Sequence, residues 1–393
     1  VKKVKPMTRV SETDVIIVGG GIAGVCSAYY LARRGARVML FERGTVGSQA
    51  SGVNFGGLRT NGRAEPELPL SLRARSQWQK IETLVGESCE TEITGHIEIC
   101  DRAEHMAAVE QWATMADGHG VGTQLMTGAE VARRFPWIGT KVLGGCFVAS
   151  DGAANPRLVT PVFAIATRKL GVDIREHDAV RTAHHDGACF QIESESGTRV
   201  RAPTLINAAG AWGARLAAQF SEVFPLDVMA PQMVVSEPFP RMITSTVDYP
   251  VNGRFFYARQ IGRGNLLFGR GPGGADLDTG RAKYVPQNLF DASRIAVDVL
   301  PFLRGRNFIR TWAGVEGKSP DSLPFLGRSR IVGGLIHAFG FSGHGFQLGP
   351  GIGEVVAELV LDGRTSTQIE GFDPYRFDKG PDAVGKTPLV QTA

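Results

Sequence analysis

Three glycines and one carboxylate carry the first chemical signal in this chain. Gly19, Gly21 and Gly24 form a Gly-x-Gly-x-x-Gly turn directly after the apolar run Val15-Ile16-Ile17-Val18. Each has a mechanical job beside a pyrophosphate. Gly19 permits the tight turn, Gly21 removes a side chain so that amides can approach the anion, and Gly24 lets the next helix pack on the strand. That helix opens with Ile22 and Ala23 and offers free N–H groups to negative charge. A second strand, Arg37-Val38-Met39-Leu40-Phe41, ends on Glu42, where a carboxylate accepts hydrogen bonds from an adenosine ribose. Strand, helix, strand and acid together predict a βαβ dinucleotide-binding unit rather than a lone glycine turn.

Composition argues against other chemistries. The net charge is +4, with 43% hydrophobic and 21% charged residues, and no basic run alternates with aromatics, so nucleic-acid binding has no support. No stretch of 18 apolar residues predicts a transmembrane segment. The five cysteines (Cys26, Cys89, Cys100, Cys146 and Cys189) are scattered and form no C-x-x-C pair. That predicts neither a disulfide framework nor a metal site, and suits a reducing cytoplasm. His184-His185 lie in a polar turn and read as solvent-facing.

The positioning elements follow from periodicity. At 393 residues two domains are expected. Residues 1–12 read as a tail, and 44–66 as a Gly/Ser/Asn-rich stretch wrapping a ligand. Helices are predicted over 69–86, 102–117, 158–171, 287–300 and 350–361. Strands are predicted at 96–100, 172–175, 204–207, 255–258, 266–268 and 335–339, with a hairpin from 189–192 and 199–201. The resulting class is α/β: a doubly wound, Rossmann-like domain interrupted by a mostly antiparallel β-sheet domain of α+β type. The nucleotide-binding domain is assigned 12–86, 151–222 and 323–375. The inserted substrate domain takes 87–150 and 223–322, leaving 1–11 and 376–393 as tails.

Several motifs together resemble the FAD-dependent D-amino-acid oxidase superfamily, which includes glycine oxidase, sarcosine oxidase and dimethylglycine dehydrogenase. They are the opening turn with Glu42, the segment Gly47-Ser48-Gln49-Ala50-Ser51-Gly52-Val53-Asn54-Phe55-Gly56-Gly57-Leu58-Arg59, and Asn207-Ala208-Ala209-Gly210-Ala211-Trp212. Arg310-Thr311-Trp312-Ala313-Gly314 with Pro320-Asp321 and Leu323-Pro324 matches a further block. So does the closing Gly340-Phe341-Ser342-Gly343-His344-Gly345-Phe346-Gln347-Leu348-Gly349-Pro350. The likeness spans about residues 14–362. The closing phrase, with Gly314-Val315-Glu316-Gly317, looks most like the FAD-carrying β subunits of opine oxidases, D-hydroxyproline dehydrogenase, dye-linked L-proline dehydrogenase and hydrogen cyanide synthase.

The resemblance implies one FAD per chain. Gly19, Gly21, Ile22, Ala23, Gly24, Glu42, Arg43 and Ser51 would hold its nucleotide half, with the backbone at Val180 on the adenine. Ala208, Gly210 and Trp212 end a strand beside it. Asn54, Phe55, Gly56, Gly57 and Leu58 would face one side of the flavin. Gly343, His344, Gly345, Phe346 and Gln347 would crowd its N1–C2=O edge, before a helix starting near Pro350. Lys318 stands near the place where sarcosine oxidases carry an attachment cysteine, and no cysteine follows Cys189. Non-covalent FAD is therefore expected, with His344 the alternative attachment point.

By the same resemblance the reaction is hydride transfer from a carbon next to nitrogen in a small amino-acid-like substrate, giving an imine. His344, Tyr257, Arg259, Arg310, Glu316 and Lys318 are the candidate pocket residues. Tyr257 reads equally as core, and Arg259 and Arg310 equally as strand-end ion pairs. Glu316 stands where single-chain relatives use an arginine, so the usual bidentate carboxylate clamp has to come from elsewhere. The implied organisation is a β subunit with an α partner and a small iron–sulfur partner, cytoplasmic or held at the inner membrane through those partners. The alternatives are a self-sufficient oxidase producing hydrogen peroxide and a non-catalytic FAD-holding scaffold.

Overall fold

A computed structural model describes residues 10–378 except 140, 252 and 253. The apolar runs that read as buried strands assemble into one six-stranded sheet. Its order is Phe325–Arg328, Leu335–Phe339, Thr204–Asn207, Val15–Val18, Val38–Phe41 and Asp173–Arg175. All neighbours are parallel except the first pair. Val15–Val18 lies at its centre, which is why four consecutive apolar residues were needed there.

The Ile22–Arg33 helix leaves this strand and is buried along nearly its whole length. A Cβ on Gly24 would stand 2.0 Å from the Gly19 carbonyl oxygen, so only glycine allows this helix start. The Gly345–Asp362 helix crosses it closely: a Cβ on Gly353 would meet the Cys26 backbone carbonyl carbon at 2.6 Å. Both helices share an apolar cluster with Val159, Phe163 and Trp78.

A second, ten-stranded sheet gathers Phe308–Ala313, Asp227–Pro238, Asn265–Asp276, Arg254–Gln260, Thr246–Val251, His96–Cys100, Gly144–Val148 and Thr123–Thr127 in that order. Arg281–Lys283 and Glu316–Lys318 pair beside this path. Most pairings are antiparallel, but Thr246–Val251 and His96–Cys100 run parallel. The Pro286–Val299 helix packs on this sheet through Ala292, Ile295, Ala296 and Val299.

Four expectations change. The last helix begins at Gly345, more than a turn before Pro350, which is accommodated inside it. The 69–86 helix divides into Leu68–Trp78 and Ile81–Val85. The ligand-wrapping stretch contains a helical turn, Ala50–Val53, and a strand, Gly57–Leu58, paired with Gly152–Ala153. Ser11–Glu12 is a parallel edge strand on Arg199–Ala202 rather than tail, because pairing supplies order that short polar sequence does not advertise. Residues 1–9 and 379–393 of the expected tails lie outside the described residues. No helix among the described residues is long and apolar enough to cross a membrane.

Candidate active site

The nucleotide cradle is built from the glycine turn outward. No side chain at its own N-cap closes the 22–33 helix. Ser51 serves instead, its Oγ accepting the Ile22 N–H at 2.9 Å. A Cβ on Gly21 would meet only that hydroxyl, at 3.2 Å, so the turn is open where a pyrophosphate must approach. Glu42 divides its carboxylate between two amides: Oε2 accepts from Gly20 at 2.7 Å and Oε1 from Gly44 at 2.8 Å. Each oxygen keeps a further lone pair for a ribose hydroxyl. The Arg43 guanidinium lies 3.3 Å over the Trp212 ring, and Trp212 Nε1–H donates to the Leu277 carbonyl at 2.8 Å. His177 and Asp178 donate amides to the Gly44 and Glu42 carbonyls, which brings the chain just before Val180 beside the ribose acid. Ala208 is tucked under the turn, its N–H on the Val18 carbonyl, while nothing lies near the missing side chain of Gly210. An open amide cradle and a half-satisfied carboxylate fit FAD.

A cavity is bounded by residues 54–57, by 342–346 and by the ten-stranded sheet. Asn54 shapes the first wall. Its Oδ1 accepts the Gly56 N–H at 2.7 Å, while its Nδ2 donates to the Ala50 and Ser51 carbonyls. Phe55 meets Tyr257 edge-on, ring centres 5.0 Å apart, and both face the cavity. Leu58 is buried beyond them in the short strand. On the second wall, Gly343 (φ +91°) donates its N–H to Glu316 Oε1 at 2.7 Å.

The floor carries a group of buried charges. Asp151 accepts the Thr60 and Asn61 amides at 2.9 Å each, fixing the turn between Arg59 and Arg63. Trp112 Nε1–H holds the Arg63 carbonyl at 2.8 Å. Arg63 is 3% exposed; its Nε donates to the Arg59 carbonyl, and among the described residues its Nη1 has no hydrogen-bond partner, with Glu67 3.9 Å away. Arg63 also lines the cavity, and a guanidinium in such a wall suits an anion. Burial pushes the Arg63 pKa down to about 10, which still leaves it charged at neutral pH. Arg59 Nε lies 3.6 Å from Asp248 Oδ2, and His96 Nε2 lies 3.5 Å from the same oxygen.

Protonation states follow from this packing. Burial, then the charge of Arg63, pushes His344 down to about 4, so it is neutral at pH 7. Its Nδ1 lies 2.7 Å from Glu67 Oε1. Burial would raise Glu67, but His344 and Arg63 together hold it below its usual range. An ionised Glu67 fixes the His344 tautomer with the proton on Nδ1, which leaves Nε2 as an acceptor. Burial raises Glu316 to about 7, with the Gly343 N–H and Arg63 opposing it. Asp248 is raised to about 7 in the same way, against Arg59.

The structure thus brings His344, Tyr257 and Glu316 of the expected pocket residues to one cavity, with Phe346 beside them. Arg259 is placed differently. It is buried behind the 54–57 wall, where its Nε donates to the Phe55 carbonyl at 2.7 Å, so it braces that wall. Arg310 is exposed on the edge strand Phe308–Ala313, outside the cavity lining. Lys318, paired through its backbone with Asp227, is also outside the lining. Gly345 makes room for Phe341, whose Cβ lies 2.9 Å from the position a Cβ would take. The Gln347 side chain is occupied by Ser71 at 3.0 and 3.1 Å. Arg59, Arg63, Glu67, His96 and Asp248 were not anticipated. The Arg59-x-x-x-Arg63-x-x-x-Glu67 spacing was a usable signal, whereas the meeting of His96 with Asp248 depends on a parallel strand pair that sequence does not reveal.

A family model described as FAD dependent oxidoreductase matches residues 14–359. Glycine oxidase of Geobacillus kaustophilus (strain HTA426) is 27% identical over 374 residues, covering 92% of this chain and 97% of that protein. Sarcosine oxidase subunit beta of Rhizobium meliloti (strain 1021) is 25% identical over 378 residues, covering 93% and 89%. The crystal structure of L-proline dehydrogenase from P. horikoshii matches with a TM-score of 0.89 and 27% identity, covering 94% of this chain and 99% of that one.

Proposed function

The chain belongs to the FAD dependent oxidoreductase family, and from that premise we propose that it oxidises the C–N bond of a small N-substituted or D-configured amino acid to an imine. The observation that carries this reading is Arg63. A guanidinium only 3% exposed, whose Nη1 has no hydrogen-bond partner among the described residues, lines the cavity beside residues 54–57, and such a group suits a substrate carboxylate. Arg59 reinforces the positive end.

Glu42 would hold the ribose of FAD, the turn at Gly21 and the Ser51 hydroxyl its pyrophosphate, and residues 54–57 and 343–346 its ring. Bound FAD would supply the two-electron acceptor. This chain's side chains supply orientation and proton control. Arg63 would fix the carboxylate, and Tyr257, Phe55 and Phe346 would exclude water around the reacting carbon. His344 Nε2, kept unprotonated by burial and by the charge of Arg63 and aimed by the Nδ1–H bond to Glu67, would accept a proton from the substrate amine. An amine that has lost its proton carries the lone pair from which an imine forms.

We further propose that FAD is held without a covalent bond and that the chain works as the β subunit of a larger assembly, passing electrons to a partner. The lack of any cysteine after Cys189 supports the first part, and likeness to a sarcosine oxidase subunit beta and to a dehydrogenase supports the second. Turnover of the isolated chain is to be measured with oxygen and with an artificial dye, with and without the products of neighbouring genes. Dye-dependent turnover that rises with a partner fits the proposal. Full oxygen-dependent turnover by the lone chain would make it a self-sufficient oxidase.

A further inference from the structure

The most unusual group in the cavity is Glu316. It sits on the strand Glu316–Lys318, opposite Met229, and lines the cavity with Met229, Met233 and Tyr257. Among the described residues its carboxylate has one hydrogen-bond donor, the Gly343 N–H on Oε1, and no cationic side chain within 4.0 Å. A carboxylate in a largely apolar cavity without a counter-ion is costly unless a cation completes it. The same cavity holds the opposite charge: Arg63 and Arg59 line it as well, and Arg63 is near enough to act on Glu316 through space.

We propose that Glu316 is the specificity-determining residue of this site, binding the positively charged nitrogen of the substrate while Arg63 takes its carboxylate. The two charges then form a polarised cavity that accepts zwitterions and rejects nitrogen-free acids of the same shape. This rests on the reading of the cavity as an amino-acid site. It goes further in naming the ligand feature that Glu316 selects.

A bland account competes: Glu316 exists only to hold the Gly343 amide. Glu316→Gln separates the two, because glutamine keeps an acceptor oxygen for that amide and loses the charge. The probes are trimethylglycine and 3,3-dimethylbutanoate, which share a shape and a carboxylate but differ in a permanent positive charge. Trimethylglycine has no nitrogen lone pair, so it binds without being oxidised. Binding is measured by calorimetry on the FAD-loaded chain at pH 8, where Glu316 is ionised.

The proposal predicts that wild type prefers trimethylglycine by about tenfold or more, the scale of one charge-assisted contact. Glu316→Gln should bring the two affinities within about twofold of each other, with that of 3,3-dimethylbutanoate little changed, while Glu316→Asp keeps a preference. Arg63→Met should weaken both ligands together. A preference unchanged in Glu316→Gln, or absent in wild type, overturns the assignment of Glu316 alone. If Arg63→Met weakens neither ligand while Glu316→Gln erases the preference, Glu316 stands and the carboxylate site is elsewhere. Failure of wild type to bind either probe contradicts both the proposal and the reading beneath it.

Discussion

Replacing Arg63 by Met tests the carboxylate site with little disturbance to packing. Methionine keeps most of the aliphatic stem and removes the guanidinium. The structural cost should be small. Among the described residues Arg63 makes one side-chain hydrogen bond, to the Arg59 carbonyl, and its distance to Glu67 is a long 3.9 Å. Glu67 keeps its 2.7 Å contact with His344, and removing a desolvated cation offsets part of what is lost. Stability should therefore move by about 1 kcal/mol or less in denaturant titration. Binding should suffer far more. A charge-assisted hydrogen bond contributes about 1.5–3 kcal/mol, and deleting a buried partner costs about 2–5 kcal/mol. A loss of about 3 kcal/mol corresponds to roughly a hundredfold rise in half-saturating substrate. The assay is anaerobic flavin reduction against concentration, comparing L-proline and sarcosine with pyrrolidine and dimethylamine, which lack the carboxylate. Both amino acids should lose about a hundredfold and both simple amines little. A folded, FAD-loaded variant with unchanged half-saturation for the amino acids would refute the assignment.

Glu42→Ala should weaken FAD by on the order of 1–3 kcal/mol in titrations of apoprotein, since the carboxylate's remaining lone pairs are the proposed ribose acceptors; unchanged affinity would remove Glu42 from the cradle. Acid precipitation should leave a colourless pellet and a yellow supernatant, and colour retained by the polypeptide would establish a covalent link. Asp248, raised to about 7 by burial, keeps a proton in the native state that the unfolded chain has released above about pH 4. Native stability therefore falls as pH rises from about 4 to 7 on account of this group. Asp248→Asn should show a stability advantage that grows across that window to on the order of 4 kcal/mol, and an advantage independent of pH would show that Asp248 is ionised throughout.

The nucleotide half was legible because its constraints are local. Gly19, Gly21, Gly24 and Glu42 lie within one βαβ unit, where turn geometry and strand ends dictate residue type. The family followed from longer motifs rather than from periodicity. The proposed substrate cavity was legible only in part. Glu316, Tyr257 and His344 were found through motif or strand position, but Arg259 and Arg310 could not be told apart from strand residues of other duty. Strand alternation says that a side chain faces one side, not which side holds the cavity. The polar groups Arg59, Arg63, Glu67, His96 and Asp248 come from the end of a loop, the entry to a helix and two strands joined in parallel across a long chain separation. Their meaning is collective, and pairing across that separation is what the sequence conceals. The early start of the last helix was hidden by Pro350, which normally marks a first turn but here sits inside the helix.

The central claim is that this chain removes two electrons from an amine carbon of a small amino acid. The most direct test is anaerobic mixing of the FAD-loaded chain with sarcosine, L- and D-proline, hydroxyproline, an opine and D-alanine, following the flavin absorbance. The account predicts that at least one bleaches the flavin fully, with one equivalent of imine or its hydrolysis product per FAD. A flavin that dithionite reduces but no member of the panel does would contradict it.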